Sequence, residues 1–173
     1  MPNIMHILQA LTILPFAHLS YIAPPTLFNT ITCVWVSSFT YHLSLSVRKY
    51  ELAHILFLAN CISQISAIGA LINITDDYTT PTKIIASTIM YYFIFCIPFQ
   101  TNKENIHYLT INAHITNVLL GLFFATNRYY YYNALTCLAF ASILYPIPYM
   151  WTLGHIFCYY YTYYSWLALG VAR

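Results

Sequence analysis

Residues 52–74 read LAHILFLANCISQISAIGALINI and contain no charged side chain. Charged residues flank this run on both sides, and they are Arg48, Lys49, Glu51, Asp76 and Asp77. A charge is costly at bilayer depth, so membrane helices end where charges appear. About 20 apolar residues are needed to cross a hydrocarbon core. The run therefore predicts one membrane-spanning helix.

The composition of the whole chain agrees with this interpretation. Of the 173 residues, 60% are hydrophobic and only 6% are charged, and the mean hydropathy is +0.64. About a quarter of the residues in a soluble domain are charged, which keeps its surface wet. A net charge of +2 offers no basic surface that could neutralise phosphates, so the chain is not expected to bind nucleic acid. The composition predicts an integral membrane protein.

Charges and prolines divide the rest of the chain into similar apolar runs. The seven predicted spans are about 4–23, 26–46, 52–74, 82–99, 106–126, 132–148 and 151–171. Backbone polar groups in lipid must pair within the protein, and runs of this length suit helices. The connections are too short for a soluble domain. We therefore expect an all-α, polytopic seven-transmembrane helix bundle that forms a single domain over residues 1–173.

The fifth span is the most polar of the seven. It carries Asn112, His114, Thr116 and Asn117. Polar side chains in membrane helices usually face other helices rather than lipid. We expect this span to be buried among its neighbours.

Three histidines are expected at one membrane face, because successive spans reverse direction. His42 lies near the end of the second span, His54 near the start of the third, and His155 near the start of the seventh. Glu51 lies at the same face. Imidazole is the commonest zinc ligand, and a catalytic zinc takes three protein ligands and a water. A zinc site is one hypothesis, and a chance grouping of hydrogen-bonded histidines is the other.

Two short motifs resemble the CREST superfamily, which contains alkaline ceramidases, progestin and adiponectin (PAQR) receptors and the myomaker-like fusion proteins. The first is Ser38 followed by His42 at the end of the second span. The second runs from Trp151 to His155 at the start of the seventh. The resemblance implies a seven-helix fold in which His42 and His155 bind a membrane zinc and Ser38 serves catalysis.

The motif is degenerate in this sequence. Trp151 stands where the family has a further zinc-binding histidine, and indole nitrogen is only a donor. The family's aspartate is also missing, since Asn60 and Glu51 are imperfect substitutes. Two imidazoles leave a catalytic zinc one ligand short. Unless His54 or Glu51 supplies the missing ligand, the hydrolase mechanism is expected to be lost.

Three functions remain as hypotheses. The first is a non-catalytic membrane subunit or scaffold in a larger assembly, with membrane lipids and other membrane subunits as partners and no cofactor. An energy-converting complex of the mitochondrial inner membrane suits the Ile-, Tyr- and Phe-rich composition, with the endoplasmic reticulum or Golgi as the alternative location. The second is a zinc-dependent lipid amide hydrolase, in which Ser38, His42 and His155 form the site. The third is a myomaker-like membrane-remodelling protein.

Overall fold

The computed structural model describes residues 4–74, 114–115, 117–118, 121–122, 125–144, 147 and 150–171. The expected all-α class is confirmed there, because these residues form six helices of seven residues or more and no strand. The helices are α1 (Ile4–Leu11), α2 (Phe16–Ile22), α3 (Pro25–Ser46), α4 (Tyr50–Ile74), α5 (Arg128–Leu144) and α6 (Trp151–Ala168). Further helical residues lie at 114–115, 117–118 and 121–122. The predicted span 82–99 and most of span 106–126 lie outside the described residues.

The first predicted span, 4–23, is interrupted in the middle. α1 ends at Leu11, and α2 begins after Pro15. Proline has no N–H to donate and disfavours a continuous helical path. The connecting turn tightens to three-residue spacing, with Phe16 N donating to Ile13 O at 2.9 Å and His18 N to Pro15 O at 3.0 Å. Thr12 lies in this interruption, and its hydroxyl lies 3.1 Å from His155 of α6.

α3 and α4 form an antiparallel hairpin with a very short connection. Lys49 N donates to Ser44 O at 2.9 Å, and Arg48 N donates to Leu45 O at 3.1 Å. These two bonds define a Schellman ending, which usually places glycine in the left-handed conformation. Here Arg48 takes that position, with a φ of 61°. The hairpin thus brings the end of α3 beside the start of α4.

α5 begins at Arg128, four residues before the predicted start of the sixth span, which was expected at 132. The reason is a capping residue, because the Asn127 side-chain oxygen accepts the backbone N–H of Tyr129 at 3.1 Å. A side-chain cap of this kind starts a helix even beside a charge. α6 begins at the predicted residue, Trp151, and ends in a Schellman motif at Gly170, whose φ is 68°.

The helices pack in two pairs that α1 and α2 help to join. α3 packs along α4 and α5 along α6, while α1 and α2 lie against α3 and α1 also touches α6. Side chains from α2, α3, α4 and the α6 end form the buried apolar core. Its members are Leu19, Leu27, Ile31, Ala67, Ile68, Leu71, Trp166, Leu169 and Val171. This packing places the end of α3 and the start of α6 side by side.

Two stretches of the described chain are long and apolar enough to cross a membrane, and they suggest a membrane association. They are Ile4–Ile22 and Tyr50–Leu71. Their mean hydropathies over an 18-residue window are 1.3 and 1.5. Large apolar side chains are also exposed on the outside of the helices, with Ile55 61% and Ile143 63% exposed. Several serines, two histidines and Gln9 are buried. Polar side chains thus lie inside the fold while large apolar ones lie outside, the reverse of the usual arrangement in a soluble protein.

Candidate functional site

A cavity of about 300 Å³ lies between the helices. Apolar residues of α2, α3 and α4 form much of its wall. The polar lining residues are Ser38, Tyr41, His42, Asn60, Gln64, His114, Asn117, His155, Tyr161, Thr162 and Ser165. They fall into two groups, which we call the histidine layer (Ser38, His42 and His155) and the amide layer (Asn60, Gln64, His114, Asn117 and Tyr161). Tyr161 follows His155 by six residues on α6, which at 1.5 Å per residue separates the layers by about 9 Å.

The structure brings the sequence-predicted residues of the histidine layer together. The ring centroids of His42 and His155 are 5.0 Å apart, with the planes inclined at 66°. Both imidazoles are buried, at 7% and 6% exposure. Ser38 lies one turn before His42 and lines the same cavity. The expected juxtaposition of α3 and α6 therefore holds in the fold.

The interrupted first span orients His155. The Thr12 hydroxyl donates to Gln9 O at 2.7 Å and lies 3.1 Å from His155 Nδ1. A hydroxyl has a single hydrogen, so in this arrangement His155 Nδ1 donates to the Thr12 oxygen. Neither Thr12 nor the break that places it was recognised in the sequence.

A third histidine approaches the layer from α1. The ring centroid of His6 lies 6.4 Å from that of His42, and the two rings are stacked. His6 Nδ1 lies 2.7 Å from Gln9 Oε1, and Gln9 is almost fully buried. The sequence signal for this contact is the three-residue spacing of His6 and Gln9 on an otherwise apolar helix, because residues three apart share a helical face.

The remaining residues that the sequence placed at this face lie elsewhere. Glu51 and His54 are exposed on α4, and neither lines the cavity. Trp151 is 37% exposed on α6 and is also absent from the lining. Asn60 does line the cavity, but it belongs to the amide layer. The predicted layer is thus reduced to His42, His155 and Ser38.

The amide layer consists of two sets of hydrogen bonds that a ring contact joins. Gln64 Nε2 donates to Asn60 Oδ1 at 2.9 Å, and Gln64 Oε1 lies 3.0 Å from His114 Nε2. Asn117 Nδ2 donates to the Tyr161 hydroxyl at 2.8 Å. The His114 and Tyr161 rings also meet edge to face, with centroids 5.7 Å apart. The layer thereby joins α4 to α6 through the polar fifth segment, whose described residue Asn117 is 7% exposed.

Four buried polar atoms, one of them on Gln9 and three in the two layers, have no hydrogen-bond partner in the part of the chain that is described. They are Gln9 Nε2, His42 Nδ1, His114 Nδ1 and Asn117 Oδ1. Burying such an atom unpaired costs about 1–3 kcal/mol. Three of the four residues line the cavity, but each of the four atoms exposes less than 1 Å² of surface.

The described residues do not fit a catalytic zinc. In the described ranges, no group of three or more His, Cys, Asp or Glu side chains is arranged to hold a metal ion. The cavity lining from these ranges includes no carboxylate. A catalytic zinc requires three protein ligands; His42 and His155 supply two, and His6, which stacks on His42, does not complete a group of three. The CREST-like ligand set is therefore incomplete in this geometry.

No protein family, curated protein or solved structure matches the chain.

Proposed function

We propose that this chain is an integral membrane protein built as a seven-helix bundle. The support is the distribution of apolar side chains on its surface. Ile4, Ile55 and Ile143 are each more than 60% exposed, and they lie on three different helices. A soluble monomer rarely exposes extensive apolar surface. Lipid surrounding the bundle would remove these side chains from water.

We further propose that the protein acts as a non-catalytic subunit or scaffold within a larger membrane assembly. Small polar groups on an outward face support this role. Ser63 and Ser66 lie three residues apart on α4, and Ser66 is exposed. Small and hydroxyl-bearing residues allow membrane helices to approach and to hydrogen-bond across their interface. This face of α4 suits contact with a helix of another subunit.

The non-catalytic assignment is supported by the small number of metal-binding side chains that line the cavity. Two imidazoles and one serine stand where a hydrolase needs a complete metal site. The residues that could have completed the set, Glu51 and His54, are exposed on α4. The proposed role therefore uses the histidine layer as internal packing and hydrogen bonding. A mitochondrial inner-membrane complex remains our proposed setting, and the endoplasmic reticulum or Golgi the alternative.

A zinc-dependent lipid amide hydrolase is the second candidate. It is favoured by the 5.0 Å separation of the His42 and His155 rings and by the Thr12 contact that orients His155. Hydrogen bonding of the second imidazole nitrogen is typical of metal-bound histidine. Ser38 would contribute to that site. A myomaker-like role in membrane remodelling is a third possibility, with no contact that favours it over the subunit role.

Metal analysis and an amidase assay separate the two leading candidates. The full chain is purified in detergent, equilibrated with zinc and freed of excess metal. We expect bound zinc well below one ion per chain and no hydrolysis of a long-chain lipid amide. His42→Ala and the exposed control His54→Ala should then be indistinguishable from the parent. One zinc per chain and amide hydrolysis, both lost in His42→Ala and kept in His54→Ala, would establish the hydrolase instead.

A further inference from the structure

We propose that the outer face of α4 binds the same face of a second copy of this chain, with the two α4 helices antiparallel. The proposal rests on the membrane-subunit function proposed above and names one partner within that assembly. The contact face, which we call the α4 seam, consists of residues spaced along one side of the helix. Its members are Leu52, Ile55, Ala59, Ile62, Ser66 and Gly69.

The α4 seam has the spacing of a helix contact face and is open in the single chain. Its members are separated alternately by three and four residues, as along the contact line of two packed helices. Leu52, Ile55 and Ile62 are 44%, 61% and 48% exposed. Ala59 and Ser66 are exposed as well. An alternation of three and four favours a second helix that crosses at about 20°.

In an antiparallel pair of α4 helices, one register sets large side chains against small ones. When the helices cross midway between positions 60 and 61 of both copies, Ile55 of one copy lies opposite Ser66 of the other. In the same register, Ala59 lies opposite Ile62. The branched apolar side chains then fill the space that serine and alanine leave, as close packing requires.

A third pair follows the same register. Leu52 lies opposite Gly69, where an added Cβ atom would meet nothing within 4 Å in the single chain. A parallel pair would instead set each residue against its own copy, with Ile55 on Ile55 and Ser66 on Ser66. Large side chains would then collide, and small ones would leave gaps. The order of residues along the seam therefore favours the antiparallel arrangement.

The antiparallel contact is closed and self-complementary. A twofold axis between the helices makes each pair occur twice, because the contact of Ile55 with Ser66 is repeated by Ser66 with Ile55. Twofold dimers are the commonest closed oligomers. Small residues let membrane helices approach closely, and this packing stabilises their association in lipid. A second copy therefore matches the seam along its length.

The positive charges of the sequence allow the two orientations that this pairing needs. Antiparallel α4 helices require that the two copies insert in opposite directions. An excess of Lys and Arg at one membrane face sets the orientation of a membrane protein. The seven proposed spans assign three such residues to each face, with Arg48, Lys49 and Lys103 at one and Lys83, Arg128 and Arg173 at the other. This balance favours neither orientation.

An exchange of two seam residues tests the pairing. Ala59→Ile sets isoleucine against Ile62 of the second copy at both symmetric contacts. We expect the dimer dissociation constant of the full chain in mild detergent, measured by energy transfer between differently labelled copies, to rise at least about tenfold. Ala59→Ile combined with Ile62→Ala restores a large residue opposite a small one, so the constant should return to within about threefold of the parent. Ala139→Ile, at an exposed alanine of α5, is the matched control and should leave the constant unchanged.

Disulfide cross-linking in intact membranes tests the orientation. Two differently tagged copies, one with Ile55→Cys and one with Ser66→Cys, are co-expressed and oxidised with copper phenanthroline. Both carry Cys33→Ser, because Cys33 is exposed. We expect a product with both tags. Two copies of Ile55→Cys should give none beyond the parent background, because their cysteines lie about 16 Å apart along the antiparallel helices, and a disulfide needs Cα atoms within about 7 Å.

The results that would overturn the self-pairing differ from those that would overturn the membrane function. Cross-linking of Ile55→Cys to itself, cross-linking of the seam only to a different protein, or no seam product at all would each contradict the antiparallel dimer. So would a double variant that stays as weak as Ala59→Ile. A chain that an alkaline wash releases from membranes without detergent would contradict the membrane function itself.

Discussion

The two polar layers of the cavity differ in how they are held. In the amide layer, side chains from α4, the fifth segment and α6 bond directly to one another, with Asn117 to Tyr161 at 2.8 Å and His114 to Gln64 at 3.0 Å. In the histidine layer, His42 and His155 contact each other through their rings, and His155 Nδ1 lies 3.1 Å from the Thr12 hydroxyl. His42 Nδ1 has no partner in the described ranges.

The layer that a sequence motif points to is thus not the layer whose side chains connect the helices. The histidine layer contains the residues that resemble a known motif, yet among the described residues it forms no group of three metal ligands. The amide layer has no recognisable motif, yet it joins three parts of the fold. Buried hydrogen bonds stabilise through the cost of breaking them. We therefore expect substitutions in the amide layer to affect folding more than those in the histidine layer.

The largest effect is expected from Gly121→Ala, next to the amide layer. A Cβ atom at Gly121 would lie 2.7 Å from Cε2 of Tyr131, and this ring is 5% exposed with its hydroxyl donating to Val118 O. Overpacking of this kind typically costs about 1–3 kcal/mol. Thermal unfolding in detergent, followed by circular dichroism, should show a lower midpoint.

Gly69→Ala is the matched control for that substitution. Gly69 is also helical, and a Cβ there meets nothing within 4 Å. Alanine has the higher helix propensity, by about 1 kcal/mol, so the midpoint should stay constant or rise. Equal destabilisation by both substitutions would show that the close approach of Gly121 to Tyr131 contributes nothing specific.

A smaller effect is expected when one member of each layer is replaced by leucine. Asn117→Leu leaves the buried Tyr161 hydroxyl without its Asn117 donor, and we expect a loss of about 1 kcal/mol. His42→Leu removes a buried Nδ1 that has no partner in the described ranges, so its free energy of unfolding should stay constant or rise. Chemical denaturation of the two variants gives the comparison. A larger loss for His42→Leu would reverse the ranking of the layers.

A loss smaller than that of Asn117→Leu is expected at the interrupted first span. Thr12→Val keeps the side-chain shape and removes the hydroxyl that contacts Gln9 O and His155 Nδ1. Side-chain hydrogen bonds between membrane helices average about 0.6 kcal/mol, so the loss should be near that value. Thr136→Val on the outside of α5 is the control and should be neutral. A loss above about 2 kcal/mol at Thr12 would mean that the histidine layer is as tightly held as the amide layer.

Much of the fold could be predicted, because changes of charge and hydropathy along the sequence mark where apolar helices begin and end. The flanking charges placed α4 to within two residues of its start, and Pro25 correctly marked the start of α3. The break at residues 12–15 was missed, because Pro15 stands in an otherwise continuous apolar run. The start of α5 was missed because Arg128 was treated as a boundary, whereas Asn127 caps a helix that includes it.

The candidate site was only partly predictable, for a physical reason. Alternation of helix direction brings His42 and His155 to the same level, and that inference needs only the number of spans between them. The approach of His6, the contact of Thr12 and the rotation of α4 that leaves His54 exposed depend on how helices rotate and pack. Those rotations are decided by side-chain packing between distant segments, which a hydropathy pattern does not encode.

The most direct test of the subunit role is the native mass of the protein extracted from its membrane in a mild detergent. One chain has a mass of 20.0 kDa. We predict a single heavier assembly with fixed stoichiometry, whose mass and composition are the same for the parent and for His42→Leu. A 20.0 kDa monomer that carries one zinc ion, and loses it in His42→Leu, would contradict the subunit role and support the hydrolase.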